Sequence, residues 1–182
     1  MATFSVPARE TVSEANQEIF ASLEKGLGFV PNLYATFAHN ETALGDFLDA
    51  GRRKSTLSGK EKEIVNLVVS ELNGCEYCKA AHTAIGKNNG FNDDQILEIR
   101  GGSATFNTKY DALAKFVHNA SINRSKPTTE ATDMLLAAGY DAGSISDIAL
   151  LIGEITVTNY LHGITQVPID FPAAPELVKA MA

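Results

Sequence analysis

Residues 57–90 read LSGKEKEIVNLVVSELNGCEYCKAAHTAIGKNNG, and this stretch decides the fold. Ser58 followed by Glu61 is the capping-box pattern that opens an α-helix. The run IVNLVV that follows is also compatible with a strand, but the length of the segment and its strong N-cap favour a helix. Asn73-Gly74 then indicates a stop or bend, and a second helix is predicted over residues 75–87. The stretch therefore predicts two helices joined by a bend.

Helical periodicity extends over the rest of the chain, and no run alternates convincingly at period two. Further helices are predicted over residues 13–25, 31–38, 40–51, 92–99, 109–123, 127–138 and 144–161. Because no long linker or low-complexity tract interrupts them, we expect an all-α fold in which residues 1–182 form a single helical domain.

Composition and charge narrow the class of protein. Hydrophobic residues make up 45% of the chain, which is normal for a globular protein, and the net charge is −7. The longest basic run, residues 52–54, is too short for general binding to nucleic acid or to an anionic membrane. The most apolar stretch, residues 145–157, is too short to cross a bilayer, and the N-terminus has no signal-peptide core. We expect a soluble, cytoplasmic protein with no nucleic-acid or membrane partner.

Both cysteines of the chain lie in the same short motif. Cys75, Cys78 and His82 have the spacing i, i+3 and i+7, which places them on one face of a helix. In a reducing compartment this spacing points to a redox or metal role rather than to a structural staple. Near a helix N-terminus the free N–H groups and the helix dipole favour a thiolate, which can attack a peroxide or a disulfide. His82 can take or relay the proton of Cys78.

Other interpretations of the cysteine motif stay open. A buried pair of cysteines can be inert packing, because a free cysteine behaves as a small hydrophobic residue. A structural zinc site requires four ligands, and Cys75, Cys78 and His82 supply three. No second CxxC or HxxxH is present to complete such a site, so we predict no metal and no cofactor.

Glu63 is a further candidate for the site. It lies on a polar stripe of the first helix, with Lys60, Asn66, Ser70 and Asn73. Such a stripe ordinarily marks a solvated helix face. If the chain folds back at Asn73-Gly74, however, Glu63 can approach the thiols. The other three histidines have no cysteine at a telling spacing, and we expect structural or surface positions for them: His39, His118 and His162.

Residues 57–90 resemble the signature of the carboxymuconolactone decarboxylase superfamily, in its alkylhydroperoxidase-D-like branch. That signature is a glutamate on one helix, twelve residues before a C-x-x-C-x-x-x-H motif that opens the next, and here the glutamate is Glu63. Residues 28–40, GFVPNLYATFAHN, are similar to the N-terminal part of the peroxidase-related subgroup, and residues 110–164 are similar to its C-terminal helices. The resemblance covers nearly the whole chain, although the flanking helices are less specific than the signature.

The resemblance implies reduction of a hydroperoxide by the cysteine pair, which an external thiol or dithiol then recycles. In that scheme Cys78 becomes a sulfenic acid, Cys75 resolves it to a disulfide, and Glu63 and His82 form the proton relay. Helix-end reasoning alone would favour Cys75 as the more acidic thiol. Tyr77 stands where the well-studied peroxidase has a histidine, which removes one possible proton carrier.

Two alternative functions remain open at this stage. One is a redox-sensing or disulfide-exchange protein without peroxide turnover, and the other is a non-catalytic oligomeric helical module. Ring-opening decarboxylation is disfavoured, because the decarboxylase branch generally lacks the cysteine pair.

The resemblance also implies a homo-oligomer, as a dimer or a trimer of dimers. The predicted last helix supports this expectation, because its apolar residues point around most of its circumference and require cover on all sides. The proline-rich segment over residues 167–175 is expected to wrap a neighbouring surface, and it is a candidate clasp for a partner subunit.

Overall fold

The computed structural model describes residues 4–177, which contain nine α-helices and no strand. The prediction of an all-α fold is therefore confirmed. A short 3₁₀ helix, Arg9–Thr11, precedes the α-helices. The α-helices are α1 (Glu14–Leu27), α2 (Asn32–Phe37), α3 (Ala43–Gly51), α4 (Gly59–Leu72), α5 (Glu76–Asn88), α6 (Asp93–Arg100), α7 (Thr108–Ile122), α8 (Thr129–Ala137) and α9 (Ala142–Thr165).

Side-chain caps set most of the helix starts. The predicted capping boxes are present at α4, where Ser58 pairs with Glu61, and at α6, where Asn92 pairs with Gln95. In each box the cap side chain accepts an N–H of the first turn that has no partner within the helix. Four more helices begin with a side-chain cap, namely α1 at Ser13, α5 at Cys75, α7 at Asn107 and α8 at Thr128.

Helices α9 and α2 are among those whose boundaries differ from the sequence prediction. Helix α9 is longer at both ends than the predicted 144–161. Its first turn is supported by Asp141, whose Oδ1 accepts hydrogen bonds from the backbone N–H and the hydroxyl of Ser144 at 2.8 and 2.9 Å. Pro31 precedes α2 as its N-cap rather than occupying its first position, because Pro31 has an extended ψ of 132°.

The described chain divides into two compact units. The first contains the described residues up to Lys54 together with Tyr160–Asp170, and the second contains Ser55–Asn159 and the described residues from Phe171 onward. The single domain over residues 1–182 stays a prediction.

The first unit has a small apolar core of its own. The buried members of this core are Val12, Phe20, Ala35, Ala38 and Leu44. Residues after α9 are attached to α2, because Asp170 Oδ2 accepts the backbone N–H of Asn32 at 2.7 Å and Pro168 O accepts its side-chain amide at 3.0 Å. The start of α2 is thus capped by residues that follow it by more than 130 positions.

The second unit is built around α4, which packs against α5, α6 and α7. Its residues Ile64, Val65, Leu67 and Val68 are fully buried. A helix with such a wide buried surface must be covered on several sides, which explains why three helices surround it. This central position places α4 directly beside the cysteine-bearing α5.

No single helix within residues 4–177 is both long and apolar enough to cross a membrane. Helices α8 and α9, bent by 118° at their junction, meet that criterion only as a pair and only by length and composition.

Candidate redox site

The two cysteines lie at the start of α5 and are joined by a disulfide. Their Cα atoms are 5.3 Å apart, as expected for one helical turn. Cys75 is the N-cap residue, and its Sγ accepts the backbone N–H of Cys78 at 3.2 Å. Only 3% of Cys75 and 2% of Cys78 are exposed. The two cysteines are thus adjacent and shielded from bulk solvent, and the redox activity of the pair stays a prediction.

Glu63 reaches the cysteine helix through His82. Its Oε2 lies 2.8 Å from Nδ1 of His82, and the carboxylate is only 6% exposed. The bend that brings α4 and α5 together contains Gly74 with φ of 64°, a conformation that favours glycine. The predicted approach of Glu63 is confirmed, and the middle of the polar stripe, Glu63, Asn66 and Ser70, is buried rather than solvated.

Asn66 supports this pair from the next turn of α4. Its side-chain amide donates to Glu63 Oε1 at 3.1 Å, so each carboxylate oxygen has its own donor. An ionised carboxylate can only accept, and therefore Nδ1 of His82 carries a proton when Glu63 is charged. The tautomer fixed in this way leaves Nε2 as the nitrogen that can take up and release a proton.

Helix α9 contributes two polar residues that the sequence analysis did not identify. Thr158 Oγ1 lies 3.8 Å from Cys78 Sγ. Asn159 accepts the side-chain amide of Asn73 at 2.8 Å and donates to Ser70 Oγ at 3.4 Å. These contacts join positions 80 to 89 residues apart, and no local sequence pattern reports such pairs.

The segment after α9 contacts the same site from outside. Phe171 packs edge-on against Tyr77, with ring centroids 5.6 Å apart, and Tyr77 is itself buried between the two cysteines in the sequence. Further along, Pro175 O accepts a hydrogen bond from Arg100 at 2.5 Å, while Arg100 also pairs with Glu71 at 2.8 Å. Residues 171–175 therefore lie against their own chain, and the proposed clasp on a partner subunit is not tested.

The hydrogen bonds described for the other histidines are with residues other than the two cysteines. His39 is exposed, with Nε2 2.8 Å from Ser5 O, and His118 is half-buried. His162 is buried, with Nε2 3.2 Å from Val167 O. Within the described part of the chain, no three histidine, cysteine, aspartate or glutamate side chains are arranged to hold a metal ion.

Residues 39–115, which include Glu63, both cysteines and His82, match the carboxymuconolactone decarboxylase family. The matched region is less than half of the 182-residue chain, and it is this region that resembles the family. The match contains the whole Glu-CxxC-His signature, and no functionally curated sequence matches the chain.

Solved structures share the fold of this chain over most of their length. An alkylhydroperoxidase-D-core, peroxidase-related protein from Ralstonia eutropha JMP134 is 19% identical, with a TM-score of 0.79 and coverage of 97% of this chain and 96% of the other. A peroxidase-related protein from Silicibacter sp. TM1040 is 20% identical, with a TM-score of 0.76 and coverage of 91% and 93%. The debrominase Bmp8 is 20% identical, with a TM-score of 0.76 and coverage of 93% of both chains. The fold thus carries more than one chemistry.

Proposed function

We propose that the protein is a thiol-dependent hydroperoxide reductase with an antioxidant role. The observation that carries this proposal is the contact between buried Glu63 on α4 and His82 on α5, because His82 follows Cys78 of the Cys75–Cys78 disulfide by one helical turn. A peroxide reductase requires a thiolate to attack oxygen and an acid to protonate the leaving alkoxide, and these four residues supply both functions.

The reaction has three balanced steps. The Cys78 thiolate attacks the distal oxygen of ROOH, the O–O bond breaks, and the alkoxide takes a proton from His82 to leave as ROH. His82, now neutral, takes the proton of the Cys75 thiol, and the resulting Cys75 thiolate displaces hydroxide from the Cys78 sulfenic acid to form the disulfide. His82 gives that same proton to the hydroxide, which leaves as water. An external dithiol finally reduces the disulfide and is itself oxidised to a disulfide.

The contacts of the two sulfurs support this division of roles. Cys75 Sγ receives a backbone N–H at the helix start, which stabilises the thiolate that must attack the sulfenic acid. Cys78 has two potential proton donors near it. His82 follows it by one turn of α5, and the Thr158 hydroxyl lies next to its sulfur. We therefore assign Cys78 as the peroxide-reacting thiol and Cys75 as the resolving thiol.

Burial favours turnover of a small oxidant over disulfide exchange between proteins. With both cysteines almost fully buried, a folded protein disulfide has no direct route to either sulfur, whereas a hydroperoxide is small enough to enter. A small dithiol is the matching reductant. A cytoplasmic setting, in which thiols are kept reduced, would supply it.

A peroxide-consumption assay tests the proposal. We expect the wild-type protein to consume cumene hydroperoxide in the presence of dithiothreitol, and Cys78→Ser to lose this activity. Cys75→Ser should retain one turnover and leave a sulfenic acid on Cys78 that dimedone traps, as mass spectrometry would show. Equal peroxide consumption by wild type and Cys78→Ser would overturn the assignment.

A further inference from the structure

The side chain of Thr158 brings a hydroxyl from α9 to the sulfur of Cys78. Oγ1 lies 3.8 Å from Cys78 Sγ, and Thr158 is itself buried. The same hydroxyl lies 2.8 Å from Ile155 O, one turn back along α9. The oxygen is therefore positioned between a helix carbonyl and the reactive sulfur.

The redox state of Cys78 determines whether the Thr158 hydroxyl donates its hydrogen bond to Ile155 O or to the Cys78 sulfur. A disulfide sulfur carries no hydrogen and no charge, so in the oxidised protein the Thr158 proton is donated to Ile155 O. A thiolate is a much stronger acceptor, because hydrogen bonds to charged groups are about twice as strong as neutral ones. Rotation of the O–H bond alone transfers the donation from the carbonyl to the sulfur, without movement of the Oγ1 atom.

We propose that Thr158 donates a hydrogen bond to the Cys78 thiolate in the reduced protein and thereby increases its reactivity. This inference rests on the proposed function, because it concerns the sulfur that meets the peroxide. It also completes the pair of donors at the site, since Cys75 Sγ already accepts the Cys78 backbone N–H. Each thiolate then has one donor of its own.

Other charged and titratable residues lie on α5 and on other helices of the second unit. They are Cys75, Glu76, Lys79 and His82 at or on α5, Glu63 and Glu71 on α4, Arg100 on α6, and Glu154 on α9. A substitution at Thr158 leaves all of them in place. A comparison of Thr158 variants therefore isolates the contribution of the hydroxyl.

The test uses Cys75→Ser as the parent, so that Cys78 is the only thiol. In this parent, Thr158→Val removes the hydroxyl at almost constant shape, and Thr158→Ser keeps it. The rate of Cys78 alkylation by iodoacetamide is measured across pH. We expect the apparent pKa of Cys78 to rise by about one unit in Thr158→Val, as the loss of a hydrogen bond to a charged group implies, and to stay near the parental value in Thr158→Ser.

Two outcomes would overturn the inference. One is an unchanged apparent pKa in Thr158→Val, and the other is an equal rise in Thr158→Val and Thr158→Ser, which would indicate packing rather than hydrogen bonding. If Thr158→Val does not fold, as judged by circular dichroism, Thr158→Ala replaces it with the same expectation. Because alkylation requires no peroxide, absence of peroxide turnover would contradict the proposed function without affecting this result.

Discussion

At the scale of single residues, the site depends on a buried carboxylate whose two oxygens have different partners. Glu63 accepts from Asn66 through Oε1 and contacts His82 through Oε2. The contact with Oε2 fixes the orientation of the His82 ring, and His82 is the group assigned to donate a proton to the leaving alkoxide. Asn66 holds the carboxylate in place and does not itself exchange protons.

Replacing the carboxylate by an amide tests this role. We expect Glu63→Gln to lower peroxide turnover by about 100-fold, the low end of the range for a general acid–base group, because the amide no longer offers His82 Nδ1 a charged acceptor that orients the ring. Turnover with cumene hydroperoxide is the measurement. Glu18→Gln, an exposed position on α1, is the control and should behave as wild type. An unchanged rate in Glu63→Gln would remove Glu63 from the relay.

Glu61, two residues away, has a structural role with its own pH dependence. Burial raises its pKa, but hydrogen bonds from Ser58, Tyr140 and Lys109 outweigh this effect and lower the pKa to about 2. Because the unfolded chain has the higher pKa, it binds a proton first as the pH falls. The carboxylate therefore stabilises the fold fully above about pH 4.5, and this contribution is lost progressively toward pH 2.

Tyr140→Phe tests this contribution, since the Tyr140 hydroxyl donates to Glu61 Oε1 at 2.8 Å. We expect the free energy of unfolding in urea to fall by about 1 kcal/mol near pH 6. The difference in this free energy between the variant and wild type should become smaller near pH 2, because Glu61 begins to be protonated in the folded protein as well. Tyr160→Phe, at an exposed tyrosine, should change neither value. A gap of equal size at both pH values would show that the hydroxyl does not act through the Glu61 charge.

At the scale of elements, the segment after α9 is the one most directly placed to control access to the disulfide. Phe171 contacts Tyr77, and Arg100 binds Pro175 O. Residues 166–177 form no helix, so this segment should open at a lower free energy than the helices beneath it. Opening would loosen Tyr77, which stands between the two buried cysteines in the sequence.

Phe171→Ala should therefore speed reduction of the native disulfide. An aromatic pair contributes about 0.5–1.5 kcal/mol of stability beyond the effect of its buried area. If opening of the segment limits disulfide reduction, the loss of this contact corresponds to an increase of about 2- to 10-fold in the reduction rate. The measurement is the rate of disulfide reduction by dithiothreitol, followed by alkylation and mass spectrometry. Glu176→Ala, an exposed position on the same segment, is the matched control. Equal rates in the two variants would show that the Tyr77–Phe171 contact does not limit access.

The elements differ in how far the sequence predicts them, and the reason is the range of the interactions involved. The capping boxes at Ser58 and Asn92 are local patterns of four residues, so the starts of α4 and α6 were predicted correctly. The approach of Glu63 was predicted only on the condition that the chain folds back at Asn73-Gly74, because a polar stripe by itself does not reveal that His82 lies opposite it. The contact between Thr158 and Cys78 joins residues 80 positions apart, and periodicity carries no information at that range.

At the scale of the whole molecule, α9 leaves large apolar side chains uncovered. Ile148, Leu151 and Ile155 are buried, whereas Leu150 is 53% exposed, Val157 48% and Ile164 65%. The exposed three recur every seven residues, the spacing at which side chains return to the same face of a helix that packs against another helix. We propose that this face pairs with the same face of a second copy, because symmetric self-association is the usual way to cover such a surface.

Light scattering of the purified protein tests this assembly, with an expected mass of at least twice the 19.5 kDa of one chain. Leu150→Arg should lower that mass, because burying an unpaired charge at a helix–helix contact costs several kcal/mol. Leu136→Arg, at an exposed leucine on α8, is the matched control and should leave the mass unchanged. A wild-type mass near that of one chain would refute the assembly, whereas a lowered mass in both variants would place the contact elsewhere than on α9. We also expect a monomeric but folded Leu150→Arg variant to turn over peroxide, because Glu63, Cys75, Cys78 and His82 all belong to one chain. Such turnover would show that the redox site is complete within a single subunit.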